Sequence, residues 1–189
     1  PDGLQPQATL DRSDVRRVVD VCSGSGCLGI IAAHNFTDAE VTLIELDPKA
    51  AALARRNVRH HALQDRVTVV EGDALEALAD LAPGSDLIIS NPPYVDAADM
   101  AALPLEYQHE PVLGLAGGDD GLSLVDAMLP LVVKQLAPGG LFVCEVGASE
   151  LAMREKYQDW PLIWPQLYNG GEGVFLLEGS APDSHTSAP

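Results

Sequence analysis

The sequence has 189 residues, of which 47% are hydrophobic, and its 28 acidic and 11 basic side chains leave a formal net charge of −17. A chain of this length and composition can bury one continuous core, so we expect one globular domain. Its negative charge repels a phosphate backbone, which disfavours nucleic acid as the direct substrate and favours a basic partner. The sequence contains neither an apolar run long enough to span a membrane nor a secretory signal pattern, which predicts a cytoplasmic protein.

Cysteine usage argues against a disulfide framework and against a zinc site. The sequence has three cysteines, Cys22, Cys27 and Cys144, without paired CxxC spacing or a neighbouring histidine cluster. We therefore predict reduced, partly buried thiols and no metal.

Along the chain, apolar runs rich in valine and isoleucine alternate with alanine-leucine stretches of helical period. This alternation is typical of an α/β protein with a parallel sheet. The clearest helix is predicted to begin at Pro48, with Asp47 as its N-terminal cap, and to end near His61. Seven strands are predicted, at residues 17–22, 41–46, 67–71, 86–90, 140–146, 162–168 and 174–178.

The last two predicted strands are joined by a short glycine-rich segment, residues 169–173, which predicts an antiparallel hairpin at the end of the mostly parallel sheet. We assign residues 16–178 to the folded domain. Residues 1–15 are predicted to be a flexible N-terminal remnant and residues 179–189 a disordered tail, because both are polar and rich in small residues and proline.

A glycine-rich loop follows the first predicted strand, where Gly24 and Gly26 allow the backbone to turn and approach a ligand. Glu45 lies 21 residues beyond Gly24, at the end of the second strand, where a carboxylate can bind the two hydroxyls of a ribose. With Gly29 the loop also satisfies GxGxxG, so a dinucleotide-binding dehydrogenase is an alternative, as is a turn without a ligand. Asp73 after the third strand favours a nucleotide-like cofactor, and so does the motif after the fourth strand.

That motif is Asn91, Pro92, Pro93 and Tyr94. An amide or aromatic amine nitrogen is a poor nucleophile, because its lone pair is delocalised, so an enzyme that alkylates it must hold the nitrogen in line. The Asn91 side-chain oxygen and the Pro92 carbonyl offer two acceptors for one NH2 group, and the Tyr94 ring offers a flat face. Asparagine and proline are also ordinary turn residues, but all four residues together after a buried strand favour a site.

With these motifs, the chain resembles the HemK family of protein-(glutamine) methyltransferases from about Arg17 to Glu178. Within that family it is similar to the branch that modifies large-subunit ribosomal protein uL3, rather than the branch that modifies release factors. Three stretches carry this resemblance: residues 20–26, in which Cys22 replaces the usual first glycine; residues 91–122; and residues 144–147 together with the closing NGGEGVF at 169–175.

The resemblance implies a Rossmann-like class I fold and S-adenosylmethionine as cofactor. It implies that Asp20, Cys22, Gly24 and Gly26 surround the methionine part of the cofactor, Glu45 its ribose and Asp73 its adenine. It also implies that Asn91 and Pro92 bind the acceptor amide, that Pro93, Tyr94 and Glu110 line the acceptor site, and that residues 95–118 close over it.

The resemblance predicts an enzyme that methylates a protein glutamine, with a basic ribosomal protein as the partner. Three alternatives stay open: a release-factor glutamine methyltransferase, a nucleic-acid amino (adenine) methyltransferase, and a non-catalytic cofactor-binding subunit. Family members carry a helical domain ahead of the first strand, whereas about sixteen residues precede Arg17 here. The identity of the substrate is the prediction that this difference affects most.

Overall fold

A computed structural model of the chain describes residues 10, 13–93, 121–166 and 172–180. Its strands are β1 (Arg17–Val21), β2 (Glu40–Glu45), β3 (Val67–Glu71), β4 (Ser85–Ser90), β5 (Leu136–Glu145) and β6 (Val174–Glu178). Its helices are α1 (Cys27–Asn35), α2 (Pro48–His60), α3 (Ala74–Asp80), α4 (Ser123–Gln135) and α5 (Glu150–Lys156), with a short 3-10 turn at Gly147–Ser149 before α5.

The six strands form one sheet in the order β3-β2-β1-β4-β5-β6. All neighbouring pairs are parallel except β5 and β6, which are antiparallel. The predicted α/β class and the antiparallel end of the sheet are therefore confirmed.

Helices cover both faces of the sheet. Alternate residues of each strand point to opposite faces, so each strand contributes side chains to two cores. Val18 and Leu43 pack in a core with residues of α1 and α2. Val19 and Ile44 pack in a second core with residues of α3 and α4. Burial on both faces explains why β1 and β2 are almost continuously apolar in sequence.

The helix α2 begins as its sequence predicts. The Asp47 side chain accepts a hydrogen bond from the Ala50 amide at 3.0 Å, and Pro48 occupies the first turn. The helix packs through Ala51, Ala54 and Val58, which recur at helical spacing and are buried.

The prediction of a sixth strand at residues 162–168 is wrong for the part that the structure describes, residues 162–166. Within residues 162–166 there is only an isolated antiparallel bridge, in which Ile163 and Leu176 exchange backbone hydrogen bonds of 2.8 and 2.9 Å. Pro161 and Pro165 lie two residues to either side, and a proline has no amide to extend the ladder. The longer antiparallel partner of β6 is β5, which the sequence pattern did not indicate.

The three cysteines are free thiols: Cys144 is buried, Cys22 is half-buried, and Cys27 is exposed, contrary to expectation. Residues 1–9, 181–189 and most of the predicted 169–173 turn lie outside the described residues. No helix in the described part of the chain has the length and apolar character needed to cross a membrane.

We predict that Gly29→Ala destabilises the protein by about 1–3 kcal/mol, because its new β-carbon would overlap the Leu43 side chain and lie 3.0 Å from Asp20 Oδ2. Urea denaturation measures the change in the free energy of unfolding. The matched control is Gly72→Ala, whose β-carbon would meet no atom within 4 Å. Equal effects of the two substitutions would contradict the close packing of α1 on the sheet.

Candidate active site at the carboxyl edge of β1 and β4

The strand order reverses between β1 and β4, so the chain leaves these two neighbouring strands in opposite directions along the sheet. In open α/β sheets, ligands bind in the crevice that such a reversal leaves at the carboxyl edge. Val21 pairs with Ser90 in the ladder, and the Ser90 hydroxyl donates to the Val21 carbonyl at 3.0 Å. The glycine loop after β1 and Asn91 after β4 therefore start side by side.

The glycine loop turns through left-handed backbone conformations. Gly24 and Gly26 have φ values of 55° and 82°, which glycine adopts without the strain that a β-carbon causes. Gly26 also lies against Leu43 and Ala54, so a side chain there would collide with the core. The Asn57 side chain on α2 donates to the Ser25 carbonyl at 3.0 Å and ties the loop to that helix. Asn57 was not identified from the sequence, since nothing in the helical pattern distinguishes it from a surface asparagine.

Glu45 lies at the end of β2 and holds two backbone segments together. Its Oε2 accepts from the Gly24 amide at 2.7 Å, and its Oε1 accepts from the Asp47 amide at 2.8 Å. Each carboxylate oxygen can accept a further hydrogen bond. Glu45, which was predicted to bind the ribose, is therefore held in position by the glycine loop itself.

Asp20 is the most unusual charged residue of this edge, because its side chain is only 1% exposed. Its Oδ2 accepts from the Gly29 amide at 2.8 Å, whereas its buried Oδ1 has no hydrogen-bond partner among the described residues. Burial raises the pKa of the Asp20 carboxyl from 3.8 to about 7; the Gly29 hydrogen bond opposes this shift, and the charge of Glu45 adds to it.

Cys22 has φ of 59°, a left-handed conformation that is rare for a residue with a side chain. Burial raises the pKa of its thiol to about 12, with further contributions from the negative charges of Glu45, Asp20 and Asp73, and a hydrogen bond with Ser90 acts in the opposite direction. The thiol stays protonated near neutral pH, so it is a wall of the crevice rather than a nucleophile.

Asp73 follows β3, one strand further along the same edge. Its Oδ1 accepts from the amides of Leu75 and Glu76 at 2.8 and 3.1 Å, so the side chain caps α3. This cap fixes the exposed carboxylate at the outer end of the crevice, where the sequence predicted a contact with adenine.

The residues of the second motif are only partly described. Asn91 is exposed at the end of β4, Pro92 is buried and Pro93 is half-buried. A buried proline holds the chain in a fixed direction as it leaves the strand. Tyr94, Glu110 and the predicted closing loop 95–118 lie outside the described residues.

The arrangement fits S-adenosylmethionine on three counts. Among the described residues, a β-carbon at Gly24 or at Gly72 would meet no atom within 4 Å, so no described side chain fills the space beside either turn. The carboxylate of Glu45 lies beside the first of these turns. The Asp20 carboxyl lies behind the glycine loop, and its Oδ1 accepts no hydrogen bond from a described residue; the fraction that is ionised near neutral pH supplies a negative potential that suits a cofactor with positive charge.

Taken together, the strand order, the antiparallel last strand and the glycine loop beside an acidic residue define a Rossmann-like fold of the class I methyltransferase type. The chain belongs to the methyltransferase small domain family, whose model matches residues 7–105.

Two relatives are named ribosomal protein uL3 glutamine methyltransferase. The one from Francisella tularensis is 41% identical over 88% of this chain and 52% of its own length. The one from Bradyrhizobium diazoefficiens is 45% identical over 89% of this chain and 52% of its own length. The chain thus spans about half the length of these curated relatives, and the resemblance to the uL3 branch is confirmed.

Solved structures share the fold at lower identity. The hMettl16 catalytic domain in complex with MAT2A 3'UTR hairpin 6 has a TM-score of 0.64 at 18% identity, covering 92% of this chain and 67% of that chain. The SAH-bound Podospora anserina methyltransferase PaMTH1 has a TM-score of 0.63 at 16% identity, covering 88% and 72%. These identities support the fold and no more.

The raised pKa of Asp20 predicts a pH-dependent stability. Between about pH 4 and pH 7 the folded state retains a proton that the unfolded chain has lost, so the contribution of this group to stability falls as the pH rises. Because Asp20→Asn cannot ionise, the variant should gain stability relative to the parent by about 3 kcal/mol at most between pH 5 and pH 7. Urea denaturation across this range tests the expectation, and a difference that is independent of pH would contradict it.

Proposed function

We propose that the chain binds S-adenosylmethionine at the β1–β4 crevice and methylates the side-chain amide nitrogen of a protein glutamine, with ribosomal protein uL3 as the substrate. The observation that carries the proposal is the adjacency of the Glu45-braced glycine loop and Asn91, which follow neighbouring strands. Two relatives at 41% and 45% identity with that printed name support the choice of acceptor.

On the cofactor side, Glu45 would accept hydrogen bonds from the ribose hydroxyls. Asp73 would accept a hydrogen bond from the adenine amino group while it caps α3. Asp20 would act from behind the loop: the hydrogen bond from the Gly29 amide fixes the start of α1, and its carboxyl would lie under the methionine part. When bound, the cofactor supplies a methyl group made electrophilic by a sulfonium.

On the acceptor side, the main difficulty is the delocalised lone pair of the amide nitrogen. The Asn91 side-chain oxygen and the Pro92 carbonyl would accept the two hydrogens of the NH2 group and hold its nitrogen toward the crevice. Because Pro92 is buried and the following Pro93 restricts its ψ, this carbonyl would be preorganised. A strong base is not required, since the proton can leave after the methyl group has been transferred. Tyr94 and Glu110 would complete the wall of the acceptor site.

Charge supports a protein acceptor over nucleic acid. The whole chain carries a net charge of −17, and Glu45, Glu71, Asp73 and Glu145 end or follow strands at the carboxyl edge. A basic ribosomal protein is attracted to such an edge, whereas a phosphate backbone is repelled.

We predict that Asn91→Ala lowers kcat for methyl transfer by about 100-fold or more while the affinity for S-adenosylhomocysteine stays within about threefold. The side-chain oxygen is lost, but the loop that holds the cofactor is unchanged. Radiolabel transfer measures kcat, and calorimetry measures affinity.

The matched control for this substitution is Asn35→Ala. Asn35 is an exposed asparagine at the end of α1, and its side chain donates a local hydrogen bond to the Ile31 carbonyl at 2.8 Å. Unchanged activity of Asn91→Ala would remove the proposed role of this residue. Failure of the parent chain to bind S-adenosylhomocysteine would remove the proposed cofactor.

The acceptor is tested by competition. We expect that the chain, given labelled S-adenosylmethionine and equal amounts of uL3, a peptide release factor and total RNA, labels a glutamine of uL3, because its acidic edge and its relatives both favour that partner. Mass spectrometry locates the methyl group. Label on the release factor or on RNA would contradict the substrate, and cofactor binding without any label would favour a non-catalytic subunit.

A further inference from the structure

Two histidines meet at the edge of the sheet opposite to the proposed active site. His34 lies in the last turn of α1, and His61 caps the end of α2. Both side chains are exposed, and His34 Nε2 lies 3.2 Å from His61 Nδ1. One of these nitrogens donates a hydrogen to the other, so two basic nitrogens share one proton.

From this pair we propose a surface binding site for a borderline divalent cation, with Zn²⁺ as the representative, in which the cation replaces the shared proton. This inference is independent of the proposed function, because the pair lies at the far ends of α1 and α2 from the glycine loop.

The distance between the nitrogens is the first argument. Zn²⁺ binds imidazole nitrogens at about 2.0–2.1 Å, so a cation equidistant from two nitrogens 3.2 Å apart subtends an angle of roughly 100–105°. That angle is close to the tetrahedral value, so both nitrogens can bind one cation once each ring tilts from the line between the nitrogens toward the cation. A pair of nitrogens much further apart would need the helices to move.

The backbone frame is the second argument. The His61 amide donates to the Asn57 carbonyl at 3.0 Å, which fixes the end of α2. The guanidinium of Arg66 donates to the carbonyls of Ala33, Phe36 and Ala39, which fixes the end of α1. The two ligands are therefore held by separate helices whose ends are already tied down, so little order has to be gained on binding.

The helix ends and the net charge favour a cation beside this pair, whereas two nearby arginines oppose it. Both histidines lie at carboxyl ends of helices, where the partial negative charge of the terminal carbonyls attracts a cation. Arg59 in the last turn of α2 and Arg66 oppose this attraction, although Arg66 is already engaged with three carbonyls. The net charge of −17 raises the local concentration of divalent cations around the whole molecule.

The site has two protein ligands. His60 stacks edge-on to His61 with ring centroids 5.5 Å apart and so orients the ring without joining the pair. In the described part of the chain, no group of three or more His, Cys, Asp or Glu side chains is placed to hold a metal. Water would fill the remaining positions, which makes the site reversible and weaker than a structural zinc site.

The test is a titration of the tag-free chain with Zn²⁺ alone in a Cys27→Ser background, because the exposed Cys27 thiol is a competing ligand. We expect one Zn²⁺ per chain and a Tm that rises with Zn²⁺ concentration. His34→Ala and His61→Ala should each weaken binding by about tenfold or more and abolish the rise in Tm. The matched control is His60→Ala, which should leave binding within about twofold.

A second measurement does not depend on the variants folding. In proton NMR spectra of the Cys27→Ser chain, Zn²⁺ should shift the ring resonances of His34 and His61 much more than those of His60. Lowering the pH should release the metal, because protons compete for the same nitrogens. Unshifted resonances of the pair, or equally tight binding by His34→Ala, would overturn the proposal.

Discussion

The reversal of strand order at β1 is the constraint on which the rest of the molecule depends. Because β2 and β4 lie on opposite sides of β1, the glycine loop after β1 and Asn91 after β4 begin side by side at the reversal of strand order, where open α/β sheets leave a crevice. The described residues proposed to hold the cofactor or the acceptor lie at or just beyond the carboxyl ends of β1, β2, β3 and β4. A sheet with sequential strand order would cover that edge with its own connections and would not bring Gly24 and Asn91 together.

Carboxylates stabilise this crevice by accepting backbone amides. Glu45 joins the glycine loop to the start of α2, and Asp20 joins β1 to α1 through Gly29. Gly29 can be approached so closely because it lacks a β-carbon. The same contacts that support the fold therefore set the shape and the negative potential of the proposed cofactor site, so stability and binding are coupled at these residues.

Asp20 shows how a structural residue can acquire a chemical property. Its burial raises its pKa to about 7, so its charge changes near neutral pH, whereas the exposed Asp73 caps a helix with its carboxylate at the outer end of the crevice. Two aspartates at one edge thus differ because one lies under α1 and the other faces solvent.

Local signals in the sequence determined much of this protein. The alternation of apolar strands and helices established the α/β class, and Asp47 and Pro48 established the start of α2. The glycines at 24 and 26 together with Asn91, Pro92 and Pro93 predicted a site at the carboxyl edge. These features depend on backbone preferences and on residues that are near one another in the chain, so they can be recognised without knowing the fold. The tertiary structure alone decided that β6 pairs mainly with β5, that Asp20 is buried with one oxygen unpartnered by any described residue, that Asn57 holds the glycine loop, and that His34 meets His61. Each of these is a contact between segments distant in the chain, and whether such segments touch depends on the order of the strands and on how the helices pack, which no local pattern encodes.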